Sequence, residues 1–581
     1  TANVVAFATS QIAALTTAQI VSLTIAQASR LSTTFVTVLG ADQVPALQTD
    51  ALINLSTAAL RSISSVQIAQ LTSDQIASLT VSQFGLFTAA QAENLRTDQI
   101  AAVAVNRVLA LGTSALAALR TDLVSALTTT QVAAFAASTV RALKTGQVSA
   151  LQTDDLAVLG TATLNALNFA QVQALGTDQI AALTSAQVAN LGTANLSALS
   201  TTQLVSIEAQ DMAALRTAQF PAFSTYQFAA LTTLQIASLT IAQAAGLSTG
   251  NVVALTDAQL AAINLPVLTP ANLAVLSSRQ VRSLSTDQIA ALTTGQAYAL
   301  STTFAAALTS AQVQALTTRS VSLISRVNLQ SFTTDSIAAL VSDQIVALTP
   351  SQVAYGLSSS QVPALTTDQI VTMTTAQLAA WYWSNIPALG TAQLIALETQ
   401  DLAAISPFNL TFLGAGQWHA LSTAQISALA PAQVAGLSPD NVAALQTAQV
   451  QALETVDLIA LTTANVQRLA SAQLVALTTD QVQALLTSQV VSLINTQLAT
   501  LTTDQIGVLT TAQAKSLSSY NMVALTTAQI TALQTADVAA LTTANVRVLA
   551  SRQIGVLTTD QVVALTTAQF QGLSTANTQS F

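Results

Sequence analysis

The stretch from Leu557 to Phe581 reads LTTDQVVA LTTAQFQG LSTANTQS F. It is built from an eight-residue unit, approximately L-T-T-x-Q-(I/V)-x-A. Numbering the Leu as position 1, the register runs back in steps of eight from Phe581 to Leu357. One step of nine then reaches Leu348, further steps of eight reach Leu268, a step of five reaches Ile263, and steps of eight continue to Phe7. Every position 1 holds Leu, Ile, Val, Phe, Met or Trp. Only two steps break the period, so the repeat defines the whole chain, and repetition of this kind decides the fold before any local signal does.

The octad excludes one long helix. At about 100° per residue, each repeat overshoots whole turns by about 80°, so the Leu stripe would wander around the cylinder. In a flat strand, positions 1 and 6 would point to opposite faces. A short helix in every octad explains more. Position 2 is usually Thr or Ser, and it is Gly at residues such as Gly112, Gly176 and Gly390; these residue types favour the N-cap. Position 3 is then the first helical residue, where Pro is welcome, and Pro270, Pro350, Pro407, Pro431 and Pro439 all stand there. Position 5 becomes the third helical residue. It is Gln in most octads, with Asp155, Asp401, Asp457, Asn441 and Asn545 among its substitutes. Each carries a side-chain oxygen that can complete a capping box with the N-cap N–H. Positions 1 and 6 are the two partners of a hydrophobic staple. The predicted fold is an all-α solenoid of one- to two-turn helices, because such helices are unstable alone and must bury their apolar residues against neighbouring repeats. The alternative is a β-solenoid, favoured by the Thr, Val and Ile content and disfavoured by Ala-rich positions 7 and 8.

Three further expectations follow. Where position 2 is Arg96, Lys144 or Gln48, the cap can shift to the Thr at position 3. Pro45, Pro221, Pro363 and Pro387 at position 7 restrict the preceding residue, so those octads should hold a single turn, partly 3-10. Position 5 should act through its acceptor oxygen: Gln481→Glu should be tolerated if that face meets water, whereas Gln481→Leu strands a backbone donor.

Composition excludes most chemistry. Charged residues make up 7% of the 581, against about 25% in ordinary globular proteins. Mean hydropathy is +0.56, yet no apolar run approaches the 18 or so residues of a membrane span; Leu378 to Trp383 is among the longest. No transmembrane segment is expected. There is no Cys, hence no disulfide and no thiolate. A net charge of −9 without a basic patch argues against nucleic acid. The single His419 lacks the surroundings of a triad base and reads as a surface residue. Asp154 and Asp155 read as helix-start residues, not a catalytic pair. No acidic loop or glycine-rich phosphate loop appears. Trp381, Tyr382, Trp383, Phe412 and Trp418 form the one aromatic-rich stretch, read as core packing. The expectation is of no enzyme activity, no catalytic, cofactor-binding or metal-binding residues, no cofactor and no small-molecule substrate.

The chain reads as one continuous array over 1–581, with the breaks at 263–268 and 348–357 taken as tolerated insertions or deletions at solenoid corners. It begins mid-repeat at Thr1 and ends within a repeat, which suggests a processed chain, a portion of a longer one, or ends covered by neighbours. Segments such as ALTTDQV (476–482) and ALTTAQI (524–530) resemble octapeptide repeat arrays of large bacterial secreted or cell-surface proteins. That resemblance implies an extracellular or cell-surface structural role. The expected function is a self-assembling filament or sheath subunit, supported by a near-uncharged Thr/Ala/Gln surface that offers copies little repulsion. A passive stalk of a bacterial adhesin is the alternative. An ice- or surface-binding Thr array ranks last, because capping already accounts for the Thr.

Overall fold

A computed structural model describes residues 3–579. Those residues form 67 short α-helices and five 3-10 helices, with no strand among them. The helical reading holds, and the β-solenoid is excluded. The chain forms two compact units, Thr1–Leu276 and Ser277–Phe581. The first contains 31 of the α-helices and the second 36, and each is a solenoid built from the same octad.

The octad from Leu477 shows the rule. Its helix is Thr479–Ala484, and the N-cap Thr478 is extended (φ −70°, ψ 161°). The Thr478 hydroxyl accepts from the Gln481 backbone N–H at 3.2 Å, and Gln481 Oε1 accepts from the Thr478 N–H at 2.9 Å. The helix stops because Leu485 is again extended (φ −55°, ψ 141°). Two extended residues thus alternate with about six helical ones, and no described residue has a positive φ. The chain turns corners without the left-handed C-cap that ends many helices. Positions 1 and 6 are buried along most of the chain, as at Leu477 (4% exposed) and Val482 (1%), while near the ends Phe7 and Phe570 are exposed.

Position 5 is buried too, and this corrects the expectation that its face meets water. Gln481 is 3% exposed. Besides capping its own helix, its Nε2 donates to the carbonyls of Val450 (3.2 Å), Gln451 (3.1 Å) and Leu453 (2.7 Å). These are C-terminal carbonyls of a helix one coil earlier, left open by the helix geometry itself. In the first unit, Gln187 Nε2 reaches Leu156 and Leu159 in the same way, at 2.7 and 2.9 Å. Gln187 and Gln481 are therefore two-ended staples, whereas Gln11 and Gln19, in the first coil, are exposed and cap only their own helices. The recurring 28-residue offset to a position-1 carbonyl sets the coil at about three and a half octads. A helix consequently sits over the joint between two helices of the previous coil, and packs on the helix three further along. Ser185–Ala189 lies on Ala209–Ala214 in the first unit, and Pro439–Ala444 on Thr463–Arg468 in the second.

The two phase breaks leave this pattern intact. The nine-residue step lengthens one helix to Pro350–Gly356. The staples that straddle it (Gln361, Gln369 and Gln377) span 32 and 29 residues, and Gln393 returns to 31 and 28. The five-residue step is spanned by the 3-10 helix Leu265–Val267, and Asn272 Nδ2 donates to Leu247 at an offset of 25. Three of the position-7 prolines lie in 3-10 helices as expected: Thr217–Ala222, Val362–Ala364 and Ile386–Ala388.

The expected cap shift does not occur. Arg96, Lys144 and Gln48 all remain N-caps. The N–H groups of Arg96 and Lys144 still donate to the position-5 Gln at 2.7 Å, so the buried positions hold the register whatever stands at position 2. Long polar side chains there reach across coils instead: Arg96 donates to Ala69 and Leu71, and Gln534 to Gly507. Position 8 abuts position 3 of the previous coil, which explains its small residues. A Cβ on Gly572 would lie 2.6 Å from the Thr543 methyl, and one on Gly246 would collide with Thr217.

Candidate interaction surface

The residues weighed for chemistry are held apart by the fold. His419 is exposed in the last turn of Ala415–Ala420, and only its backbone carbonyl is engaged, by Gln446 at 2.8 Å and Gln449 at 3.5 Å. Asp154 faces solvent while Asp155 is 1% exposed. Asp155 accepts from the Gln152 N–H at 3.2 Å, and burial pushes its carboxyl above the usual range. Among the described residues no group of three or more His, Cys, Asp or Glu is placed to hold a metal ion, and no helix is long and apolar enough to cross a membrane.

The aromatic stretch splits in two. Trp381 and Trp418, at positions 1 and 6, are 1% and 0% exposed, and each leaves its indole N–H buried without a hydrogen-bond partner. They are core residues, as the sequence indicated. Tyr382 and Trp383 are not: they are 40 and 44% exposed, and join Tyr355 and Phe408 on the outside. Ring centroids run Tyr355 to Tyr382 (5.2 Å), Tyr382 to Trp383 (5.6 Å), Trp383 to Phe412 (5.8 Å) and Phe412 to Phe408 (5.2 Å). Arg326 stands over the Tyr355 ring at 5.6 Å. The result is an aromatic column climbing the wall of the second unit. Tyr355, Trp383 and Phe412 are separated by 28 and 29 residues, one coil per step. Sequence reasoning missed Tyr355 and Phe408 because their alignment becomes visible only once the coil length is known.

Elsewhere the wall carries isolated ion pairs. Arg96 meets Asp98 at 2.8 Å, Arg120 meets Asp122 at 3.0 Å and Arg468 meets Asp440 at 2.7 Å. The Arg96 and Arg120 guanidinium groups hold the Asp98 and Asp122 carboxyls below the usual carboxylate range. All six side chains are well exposed, so each pair adds little stability.

The ALTTAQ repeat family matches seven stretches: residues 44–81, 148–185, 204–241, 265–302, 394–431, 450–487 and 530–567. No curated protein matches the chain. Many of the intervening octads keep the Gln staple at offsets of 31 and 28, as at Gln131 and Gln513, while others, such as those holding Arg107 and Leu123 at position 5, have no amide there. ALTTAQ repeats thus recur at seven places along the chain, in both units.

Proposed function

We propose that this chain is a structural repeat protein that self-associates, an extracellular filament or sheath subunit. The observation that carries the reading is the aromatic column from Tyr355 to Phe408, exposed on a wall with few charges. An exposed apolar patch of this kind marks an interaction surface, and a sparsely charged wall opposes the approach of a second copy only weakly. The extracellular placement rests on the resemblance to bacterial surface arrays. The position-2 hydroxyls are occupied as caps, which weighs against an ice-binding Thr array. Negative-stain microscopy and sedimentation of the purified chain test the proposal. Assemblies of uniform width are expected, and the variant Tyr355→Ser/Trp383→Ser/Phe408→Ser should shift them to monomer. A chain that stays monomeric at high concentration would refute it and favour a passive adhesin stalk.

A further inference from the structure

Five octads carry Asp at position 5: Asp155, Asp211, Asp401, Asp457 and Asp537, all no more than 4% exposed. A carboxylate there has lost the donor end of the Gln staple and faces carbonyl oxygens. In three of the five a hydroxyl from position 3, 26 residues earlier, makes up for it, while Asp155 accepts from the Gln152 backbone N–H. Ser185 donates to Asp211 and Thr375 to Asp401, the latter at 2.8 Å, and Thr511 serves Asp537. Asn577 receives Ser551 by the same geometry, at 3.1 Å. For Asp457 the corresponding residue is Pro431, which has no hydroxyl. Asp457 is 1% exposed, and its Oδ1 has no hydrogen-bond partner.

Asn at position 5 shows what a donor would do there. Asn465 and Asn545 each donate through Nδ2 to the carbonyl 28 residues earlier, Leu437 and Leu517, at 2.8 Å. A protonated Asp has the shape of Asn with one O–H donor, and the equivalent carbonyl for Asp457 belongs to Leu429.

We propose that Asp457 is a proton-operated latch between two coils: taking up a proton from solvent, its carboxyl donates to the Leu429 carbonyl and closes the joint, which stays open while the carboxylate is ionised. Burial and then the nearby Glu454 carboxylate push the Asp457 carboxyl up to about 6, opposed by the Glu454 backbone N–H. The charged surroundings are few. Glu454 is the N-cap of its own helix, Thr455–Leu458; Pro431–Ala435, packed on one side, has no ionisable residue; Thr479–Ala484, packed on the other, contributes only the exposed Asp480. No cation faces Asp457 from these elements.

A carboxyl whose folded value lies above its unfolded one favours the fold in acid, and the advantage is lost as pH rises through the folded value. Between pH 7.5 and 5.0 these two values give about a tenfold gain in local protection. Hydrogen exchange by mass spectrometry on the full chain, corrected for intrinsic rates, reads this in peptides covering 429–458. Wild type should gain about tenfold on acidification. Asp457→Asn should be protected at both pH values without the step, and Pro431→Thr, which supplies the missing hydroxyl to the carboxylate, should shrink it. The proposal is overturned if the step persists in Asp457→Asn, if that variant is less protected than wild type at pH 7.5, or if added Na⁺ or Ca²⁺ reproduces the step at pH 7.5, which would make the joint a cation site.

Discussion

The two-ended role of position 5 can be tested at one residue. Gln481→Glu keeps the Oε1 that accepts from Thr478 but replaces an NH₂ lying 2.7–3.2 Å from three backbone carbonyls by a second carboxylate oxygen. An NH₂ can serve two carbonyls at once, so two buried acceptors lose their donor, at about 1–3 kcal/mol each. The new charge gains about 0.3–1 kcal/mol from the helix N-terminus. The balance at neutral pH is a local destabilisation of about 2–5 kcal/mol, most of it electrostatic. Gln481→Leu removes both ends of the staple and strands the Thr478 N–H as well, with a cost of the same order.

What separates the two variants is pH. The carboxyl introduced by Gln481→Glu, forced against carbonyl oxygens, should titrate above its unfolded value. Its penalty is therefore absent below the unfolded pKa of about 4.3 and grows as pH rises through the folded one. Once protonated, that carboxyl donates to Leu453 and recovers much of the staple; the Leu variant recovers nothing. Because solenoid repeats contact only their neighbours, the loss should stay local. It should appear as faster amide exchange in peptides covering 450–485, corrected for intrinsic rates, with acid repairing Gln481→Glu alone. Wild-type protection of Gln481→Glu at pH 7, or identical pH profiles for the two variants, would show that the cross-coil bonds of Nε2 carry no stability.

The remaining predictions concern the fold as a whole and its aromatic residues. Far-ultraviolet circular dichroism should be helical, weakened by the many helix ends; a single strand-type minimum would contradict the solenoid described here. Adding EDTA should leave the melting curve unchanged, and a large downward shift would reveal a bound cation. Trp418→Ala, which empties a fully buried site, should cost about 3–5 kcal/mol. Trp383→Ser on the exposed column should stay within about 0.5 kcal/mol in a monomeric preparation; equal losses would mean that the aromatic stretch is a single core.

The local structure was legible in the sequence because the octads carry start signals that agree: Thr or Ser at the cap, Gln at the third helical position, a bulky pair bracketing them and, in five octads, Pro at the first helical position. Register was equally legible, since the bulky apolar residues recur at positions 1 and 6. The coil was not. Its length follows from where Gln481 Nε2 finds a carbonyl, 28 residues back, and no pattern within one octad encodes that distance. The same gap hid the aromatic column, whose members occupy different octad positions and meet only because one coil lies against the next. The cap shift expected at Arg96 failed for a related reason: a local preference at position 2 was weighed without the cross-coil bonds that hold position 5.

The coil geometry in turn accounts for a bias that capping leaves unexplained. If position 5 needed only an acceptor oxygen, Glu would serve as well as Gln. Yet none of the four Glu residues stands there; Glu208, Glu398 and Glu454 occupy position 2, and Glu93 occupies position 7. Facing carbonyls of the previous coil, the site favours a donor beside the acceptor, which a neutral amide offers at full reach and which the hydroxyls of Thr163 and Ser336 offer to one carbonyl 28 residues back. Where a carboxylate does enter it is the shorter Asp, which leaves room for a hydroxyl from position 3 at Asp211 and Asp401. With positions 1 and 6 apolar, position 5 mostly an amide and position 8 mostly small, four of the eight positions seldom carry charge, the exceptions being Arg107 and the five Asp at position 5 and Arg30 and Arg468 at position 8. The low charge content is thus largely set by the joints between coils. A Glu introduced at any buried position 5 should behave as at Gln481.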